Sequence, residues 1–138
     1  MKLYEIYETL NSVYFIMEYL KGGELLKKNE PYGFYNENDA VAPLRSILES
    51  LDHMHSSGVI HRDIKPENIL LTAKDGDGSD IKIIDFGFAL QKENMHECKI
   101  KQCGTPGYMA PEMFSKGDEI DYDERCDIFS AGIIFYKM

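Results

Sequence analysis

The sequence has little that would direct a protein to nucleic acid. Its 138 residues carry 24 acidic and 15 basic side chains, which give a formal net charge of −9. A nucleic-acid-binding surface needs clustered lysine and arginine, so this balance argues against that class of partner. An acidic surface would suit a basic peptide, although a solvated acidic surface is also common among soluble proteins.

Long apolar stretches and paired cysteines are also missing. Glu18 and Asp85 interrupt the two most hydrophobic segments, so neither reaches membrane-spanning length. The opening MKLYEIYETL lacks the basic start and apolar run of a signal peptide. The cysteine number is odd and there is no CxxC pair, which predicts free thiols in a reducing compartment. We therefore expect a soluble cytoplasmic protein with no membrane partner, the nucleus being the alternative location.

The first part of the chain alternates between strand-like and turn-like segments. Hydrophobic residues make up 43% of the sequence, enough for one modest core. Residues 3–8 and 13–19 are predicted as two strands joined by a tight turn at Asn11–Ser12. Gly22–Gly23 then breaks the chain before a short helix that is expected to begin near Glu24.

The clearest helix is predicted over residues 38–57, with Gly58 as its C-terminal stop. Pro43 lies beyond the first turn, where proline is tolerated, and predicts either a late helix start or a bend. The expected buried face consists of four apolar residues at helical spacing, with two more beside them: Val41, Leu44, Leu48 and Leu51, then Ile47 and Met54.

Short apolar segments follow, and a last helix ends the chain. NILLT and IKIID are predicted as a hairpin connected by KDGDGSD. The last helix is expected to begin near Arg125 and to continue to Met138.

Three short motifs follow one another along the chain. HRDIKPEN spans His61 to Asn68, DFG begins at Asp85, and APE ends at Glu112. A match of eight residues has a chance frequency of about 10⁻¹⁰ per position, so coincidence is not a serious alternative. On these motifs the chain resembles the protein kinase family, and specifically its Ser/Thr branch, over essentially its whole length.

The resemblance implies an α+β, protein-kinase-like fold that is truncated. Residues 1–138 would form a partial kinase domain: 1–20 the end of the small lobe and the hinge, and 21–138 a mainly helical, truncated large lobe. The family's Gly-rich loop, small-lobe lysine and partner glutamate would precede Met1. Two hypotheses remain open. The chain is the central portion of an active Ser/Thr kinase, or it is a non-catalytic kinase-like binding fragment, and coding sequence upstream would distinguish them.

Phosphoryl transfer to a protein hydroxyl needs groups that position the reactants and neutralise charge. By resemblance, Asp63 orients the substrate hydroxyl and accepts its proton, and Lys65 places a positive charge beside the transferring phosphate. Asn68 and Asp85 offer the hard oxygen ligands that Mg²⁺ prefers. Thr105, in the segment GTPGYMAPE, combines with Lys65 to favour Ser/Thr over Tyr substrates.

The resemblance also implies an ATP site around MEYLKGGEL. Met17 would be the gatekeeper, the backbones of Glu18 and Leu20 would bond the adenine, Leu70 would lie under the base, and Glu24 would reach the ribose. Taken alone, this segment is equally consistent with any strand, turn and helix.

Several further residues have scaffolding or regulatory roles in the resembled family. Asp127 is expected to be buried and to cap backbone amides of the catalytic loop, the segment that carries Asp63. His61 and Phe86 are expected to be core residues. Residues 88–104 contain no Ser, Thr or Tyr. Arg62 would therefore find a permanent anionic partner there, and two residues could provide it: Glu93 or Glu97.

The subgroup and the substrates follow from weaker signals. The segments DFGFA and YDERCDIFSAGII are most similar to the calcium/calmodulin-dependent kinase group. Glu24 and Glu67 stand where arginine-directed kinases of that group carry acids, so arginine-containing peptides are expected as protein substrates. The alternative is that Glu24 only binds ribose and Glu67 only solvates its loop.

Overall fold

The computed structural model describes residues 1–29, 35–74, 78–114 and 120–138. Four 3-10 turns accompany the helices and strands, at Leu26–Asn29, Pro66–Asn68, Lys92–Glu97 and Pro111–Phe114. The helices and strands are, in chain order, β1 (Leu3–Glu8), β2 (Val13–Met17), β3 (Gly23–Glu24), α1 (Glu37–Ser56), β4 (Val59–Ile60), β5 (Ile69–Leu71), β6 (Ile81–Ile83), β7 (Leu90–Gln91) and α2 (Arg125–Lys137).

β1 and β2 form the predicted antiparallel hairpin. Glu8 pairs with Val13, and the Thr9 amide donates to the carbonyl of Ser12 at 2.8 Å, which closes the turn. β2 ends at Met17, two residues before the predicted end at residue 19. Every residue of both strands is exposed, so this ribbon has no buried face within the described chain.

A small three-stranded sheet follows, in the order β3-β5-β6. The predicted hairpin is confirmed as β5 and β6, although residues 75–77 of its connection lie outside the described part of the chain. The short helix predicted near Glu24 begins slightly later, as the 3-10 turn at Leu26, because Glu24 itself pairs with Leu70 in β3. Backbone bonds from Gly22 and Leu25 to β5 extend that pairing, and helical turns begin only at Leu26.

The long helix α1 begins at Glu37, one residue before the prediction. The Asn36 side chain accepts from the Asp39 amide at 3.0 Å and caps the first turn, and Gly58 follows the helix at φ 75°, as its predicted stop role requires. A late start caused by Pro43 is therefore wrong, since the helix runs through this proline.

The buried face of α1 is rotated from the predicted one. Its fully buried residues are Ala40, Pro43, Ile47 and Leu51. Val41 and Leu48 are 50% and 39% exposed, so their placement in the core was wrong. Pro43 is fully buried, so the face of α1 that meets the core is the one that carries this proline.

The main core lies where α1, α2 and the β3-β5-β6 sheet meet. α2 begins at Arg125, as predicted. Within the described residues no helix combines the length and the hydrophobicity that a membrane span requires. The core residues are Leu25, Ala40, Ile47, Leu51, Ile64, Ile69, Leu71, Ile81, Ile83, Ala131, Ile134 and Met138, and a second cluster contains Ile60, Ala110, Met113, Tyr122 and Cys126.

Candidate active site

Strand pairing brings two loops of the chain together. The segment 61–68 connects β4 to β5, and the segment 84–89 connects β6 to β7. Because β5 pairs with β6 and β4 pairs with β7, both loops are fixed at both ends beside each other. A backbone bond from Ile84 to the Asn68 carbonyl, 2.9 Å long, ties them directly.

A buried carboxylate organises the first loop. Asp127 on α2 is 1% exposed, and its two oxygens accept from the backbone amides of His61 and Arg62 at 2.8 Å each. The ring of His55 lies 2.9 Å from the same carboxylate. Arg62 has φ 67°, a left-handed conformation that is costly for a residue with a side chain. Asp127 therefore has the predicted capping role and stabilises a strained turn.

His61 joins the two loops from inside. Its ring is completely buried, with Nε2 3.0 Å from the Ile84 carbonyl and Nδ1 accepting from the Asp63 amide at 3.3 Å. Burial lowers the pKa of His61, which agrees with a neutral ring that donates once and accepts once. His61 is therefore a core residue, as predicted. Phe86 lies 5.1 Å from this ring but is 45% exposed, so its predicted placement in the core was wrong.

Three predicted site residues form one hydrogen-bonded group. The Lys65 ammonium donates to Asp63 Oδ2 at 2.8 Å and to the Thr105 hydroxyl at 3.0 Å. The Thr105 hydroxyl in turn donates to Asp63 Oδ1 at 2.7 Å. Burial raises the pKa of Asp63, but the bonds from Lys65 and Thr105 outweigh it and leave that pKa below its ordinary value. The carboxylate is thus ionised at neutral pH although it is nearly buried.

The two predicted metal ligands lie at the ends of the paired strands. The Asn68 amide nitrogen donates to the Asp63 carbonyl at 2.9 Å, and the amide oxygen is the atom that could ligate a cation. Asp85 is exposed at φ 61°, and its Oδ1 accepts from the Gly87 amide at 3.2 Å. Across the described ranges no three His, Cys, Asp or Glu side chains form a metal cluster.

A mainly apolar cavity of about 410 Å³ opens beside Asp85. The predicted ATP site did not include three residues of this cavity: Met1, Tyr19 and Ile84. Of these, Ile84 could have been inferred because it directly precedes Asp85. Glu24 is not among the residues of the wall, and its carboxylate accepts from Lys27 at 2.6 Å. The wall consists of Met1, Met17, Glu18, Tyr19, Leu20, Leu70, Ile84 and Asp85. A larger cavity of about 530 Å³ lies beside Glu112 and Arg125 and includes no residue of the two loops.

The family model of the protein kinase domain matches residues 1–138. The chain belongs to the protein kinase family. The α+β, kinase-like fold that the motifs implied is thereby confirmed.

Similar proteins include kinases of several kinds. Calcium-dependent protein kinase 5 of Plasmodium falciparum is 44% identical over 135 residues, which cover 98% of this chain and 23% of that protein. Calcium/calmodulin-dependent protein kinase type 1 of Macrobrachium nipponense is 42% identical over 98% of this chain and 37% of its own length. Ribosomal protein S6 kinase 2 beta of Xenopus laevis is 39% identical over 99% and 21%, respectively. The predicted similarity to the calcium/calmodulin-dependent group is confirmed, and the chain spans well under half the length of these relatives.

Arg62 has hydrogen-bond partners that the sequence did not predict. Its guanidinium donates to the carbonyls of Phe88 and Ile100 at 2.7 and 2.8 Å, and to the Tyr122 hydroxyl at 3.1 Å. The predicted ion pair with Glu93 or Glu97 is therefore wrong, and both glutamates are exposed on the 3-10 turn Lys92–Glu97. The loop satisfies Arg62 with backbone oxygens because it passes directly over the guanidinium.

The two acids expected to recognise arginine in substrates, Glu24 and Glu67, differ in their surroundings. Glu67 is exposed on the turn Pro66–Asn68, one position from the metal-ligand candidate Asn68. Glu24 is half-buried and its carboxylate is paired with Lys27. Of the two, Glu67 is the more available to an arriving guanidinium.

Proposed function

We propose that the protein carrying this kinase chain transfers the terminal phosphate of ATP to serine and threonine hydroxyls of protein substrates. The observation that carries the proposal is the closed group of Asp63, Lys65 and Thr105, whose polar atoms lie 2.7–3.0 Å apart. A carboxylate, an ammonium and a hydroxyl at these distances provide a proton acceptor and a local positive charge at one point.

Each member of this group has a defined task. Asp63 orients the substrate hydroxyl and takes its proton late in the reaction, which suits a carboxylate whose pKa is below the ordinary range. Lys65 balances the charge on the phosphate that moves. Thr105 joins the segment that docks the phosphoacceptor to the catalytic loop through its single hydroxyl.

The nucleotide would occupy the cavity beside Asp85. The backbones of Glu18 and Leu20 would bond the adenine, Met17 would be the gatekeeper, and Leu70 would support the base from below. Asn68 and Asp85 would hold Mg²⁺, which neutralises phosphate charge when bound. Their amide and carboxylate oxygens fit the preference of this cation for hard ligands.

The test is phosphate transfer by the full-length protein to matched serine, threonine and tyrosine peptides. We expect transfer to the first two, and a loss in kcat of about 10²-fold or more in Asp63→Asn, since a positioned base contributes that much. Asp52→Asn, an exposed aspartate on α1, is the matched control and should behave like wild type. A wild-type protein that binds ATP but phosphorylates none of the peptides would instead support the non-catalytic, binding function.

A further inference from the structure

An ion pair crosses one end of the nucleotide cavity. Lys82 on β6 places its ammonium 2.7 and 2.8 Å from the two carboxylate oxygens of Glu18, which directly follows β2. The side chains are 32% and 19% exposed, so the pair is partly shielded from water. The bonds from Lys82 lower the pKa of Glu18, and the carboxylate is ionised at neutral pH.

Lys82 is placed beside the cavity although it is not among the residues of the wall. It is the cross-strand partner of Leu70, and such partners project from the same face of a sheet. Ile84 comes directly after the last residue of β6. Leu70 and Ile84 both line the cavity, while Glu18 lines it from the opposite segment. The ion pair therefore spans from one wall to the other.

The ion pair lies where the hairpin β1–β2 joins the rest of the described chain. All residues of β1 and β2 are exposed, so apolar burial does not fix the position of the hairpin within the described chain. The next backbone tie is the bond from the Gly22 amide to the Leu71 carbonyl, 3.1 Å long, at the far end of the connecting segment. A bidentate ion pair at residue 18 is thus well placed to set the separation of the two walls.

We propose that Lys82 is a positioning residue for the nucleotide. Through its ion pair with Glu18 it holds residues 17–20 at the separation from Leu70 and Ile84 that adenine binding needs. This inference rests on the proposed function, because it assigns to Lys82 a part in binding ATP at the same site.

The experiment uses the full-length protein and measures both the Kd of a fluorescent ATP analogue and steady-state kinetics with ATP. For Lys82→Met we expect the Kd and the KM for ATP to rise about three- to fivefold, with kcat within about twofold of wild type, as loss of a partly exposed ion pair allows. Lys82→Arg keeps the charge and should restore most of the affinity. The reversed pair, Glu18→Lys with Lys82→Glu, should bind ATP more tightly than either of its single variants.

The matched control is Lys92→Met. Lys92 pairs with Glu124 at 2.7 Å with similar exposure and lies away from the cavity, so its loss should leave the KM for ATP unchanged. Equal nucleotide affinity in wild type and Lys82→Met would overturn the inference and leave the proposed function intact. So would a rise in kcat at unchanged KM, since the pair would then restrain motion instead of placing the nucleotide. A wild-type protein that binds no nucleotide would overturn both.

Discussion

The cap formed by Asp127 makes the most demanding prediction of the structure. Asp127→Asn keeps the size of the side chain but replaces one carboxylate oxygen by an NH₂ group. Both oxygens accept from backbone amides, of His61 and of Arg62 at 2.8 Å each, so either orientation of the new amide puts a donor against a donor. At 1% exposure, water has no access to relieve this contact.

The cost of this substitution follows from the bonds that are lost. A hydrogen bond to a charged group contributes about 1.5–3 kcal/mol, and leaving its buried donor without a partner adds a further penalty. We expect Asp127→Asn to lower the free energy of unfolding by about 3–5 kcal/mol, because it removes the charged acceptor of two backbone amides and leaves one of them unpaired. Domains have only about 5–15 kcal/mol of stability, so the effect is large. Because the left-handed turn at Arg62 also loses its support, kcat should fall under conditions where the protein is still folded.

Urea unfolding of the full-length protein would measure the loss of stability. Its rate of peptide phosphorylation would measure the change in kcat. The control is Asp123→Asn, because the Asp123 carboxylate pairs with Arg125 at the surface and should contribute less than about 1 kcal/mol. If Asp127→Asn unfolds at the same urea concentration as this control, the cap does not stabilise the loop and the reasoning is refuted. Unchanged kcat in a destabilised variant would show that the cap serves the fold alone.

Two further predictions concern regulation and specificity. Phosphatase treatment should leave the peptide phosphorylation activity unchanged, because residues 88–104 offer no phosphoacceptor and neutral oxygens already bind Arg62. A loss of activity that maps to a phosphate on Thr105 would contradict this prediction. Peptides with arginine before the phosphoacceptor should be preferred about tenfold in kcat/KM over matched alanine peptides, as expected for a charge-assisted bond. Glu67→Gln should reduce that preference more than Glu24→Gln does, because the Glu24 carboxylate is already paired with Lys27. An undiminished preference in both variants would refute the assignment of these acids to arginine recognition.

The parts of the fold that the sequence predicted are those with local signals. The hairpin β1–β2, the hairpin β5–β6 and the start of α2 each follow from apolar patterning and from adjacent turn residues. Gly58 ended α1 as predicted because a left-handed residue after a helix is a local requirement. The motif residues were brought together because strand pairing fixes both ends of their loops.

The failures concern contacts between distant segments. Which face of α1 is buried depends on what packs against it, so helical spacing alone placed Val41 and Leu48 in the core although both are exposed. Charge complementarity suggested a glutamate as the partner of Arg62, whereas in the structure its guanidinium donates to the carbonyl of Ile100. The pair of Glu18 and Lys82 has no sequence signal, since the two residues are brought together only by the fold.

The carboxylate of Asp63 shows how the fold reconciles burial with an ionised side chain. Asp63 lies nearly out of contact with solvent, and burial alone would favour its protonated form. Its environment reverses that tendency because Lys65 and Thr105 donate to different oxygens of the carboxylate. Thr105 comes from a segment far along the chain, so docking of that segment adds a second donor to the carboxylate that Lys65 already contacts. Under the proposed function, docking of the segment 104–112 and placement of the proton acceptor are coupled through the Thr105 hydroxyl group.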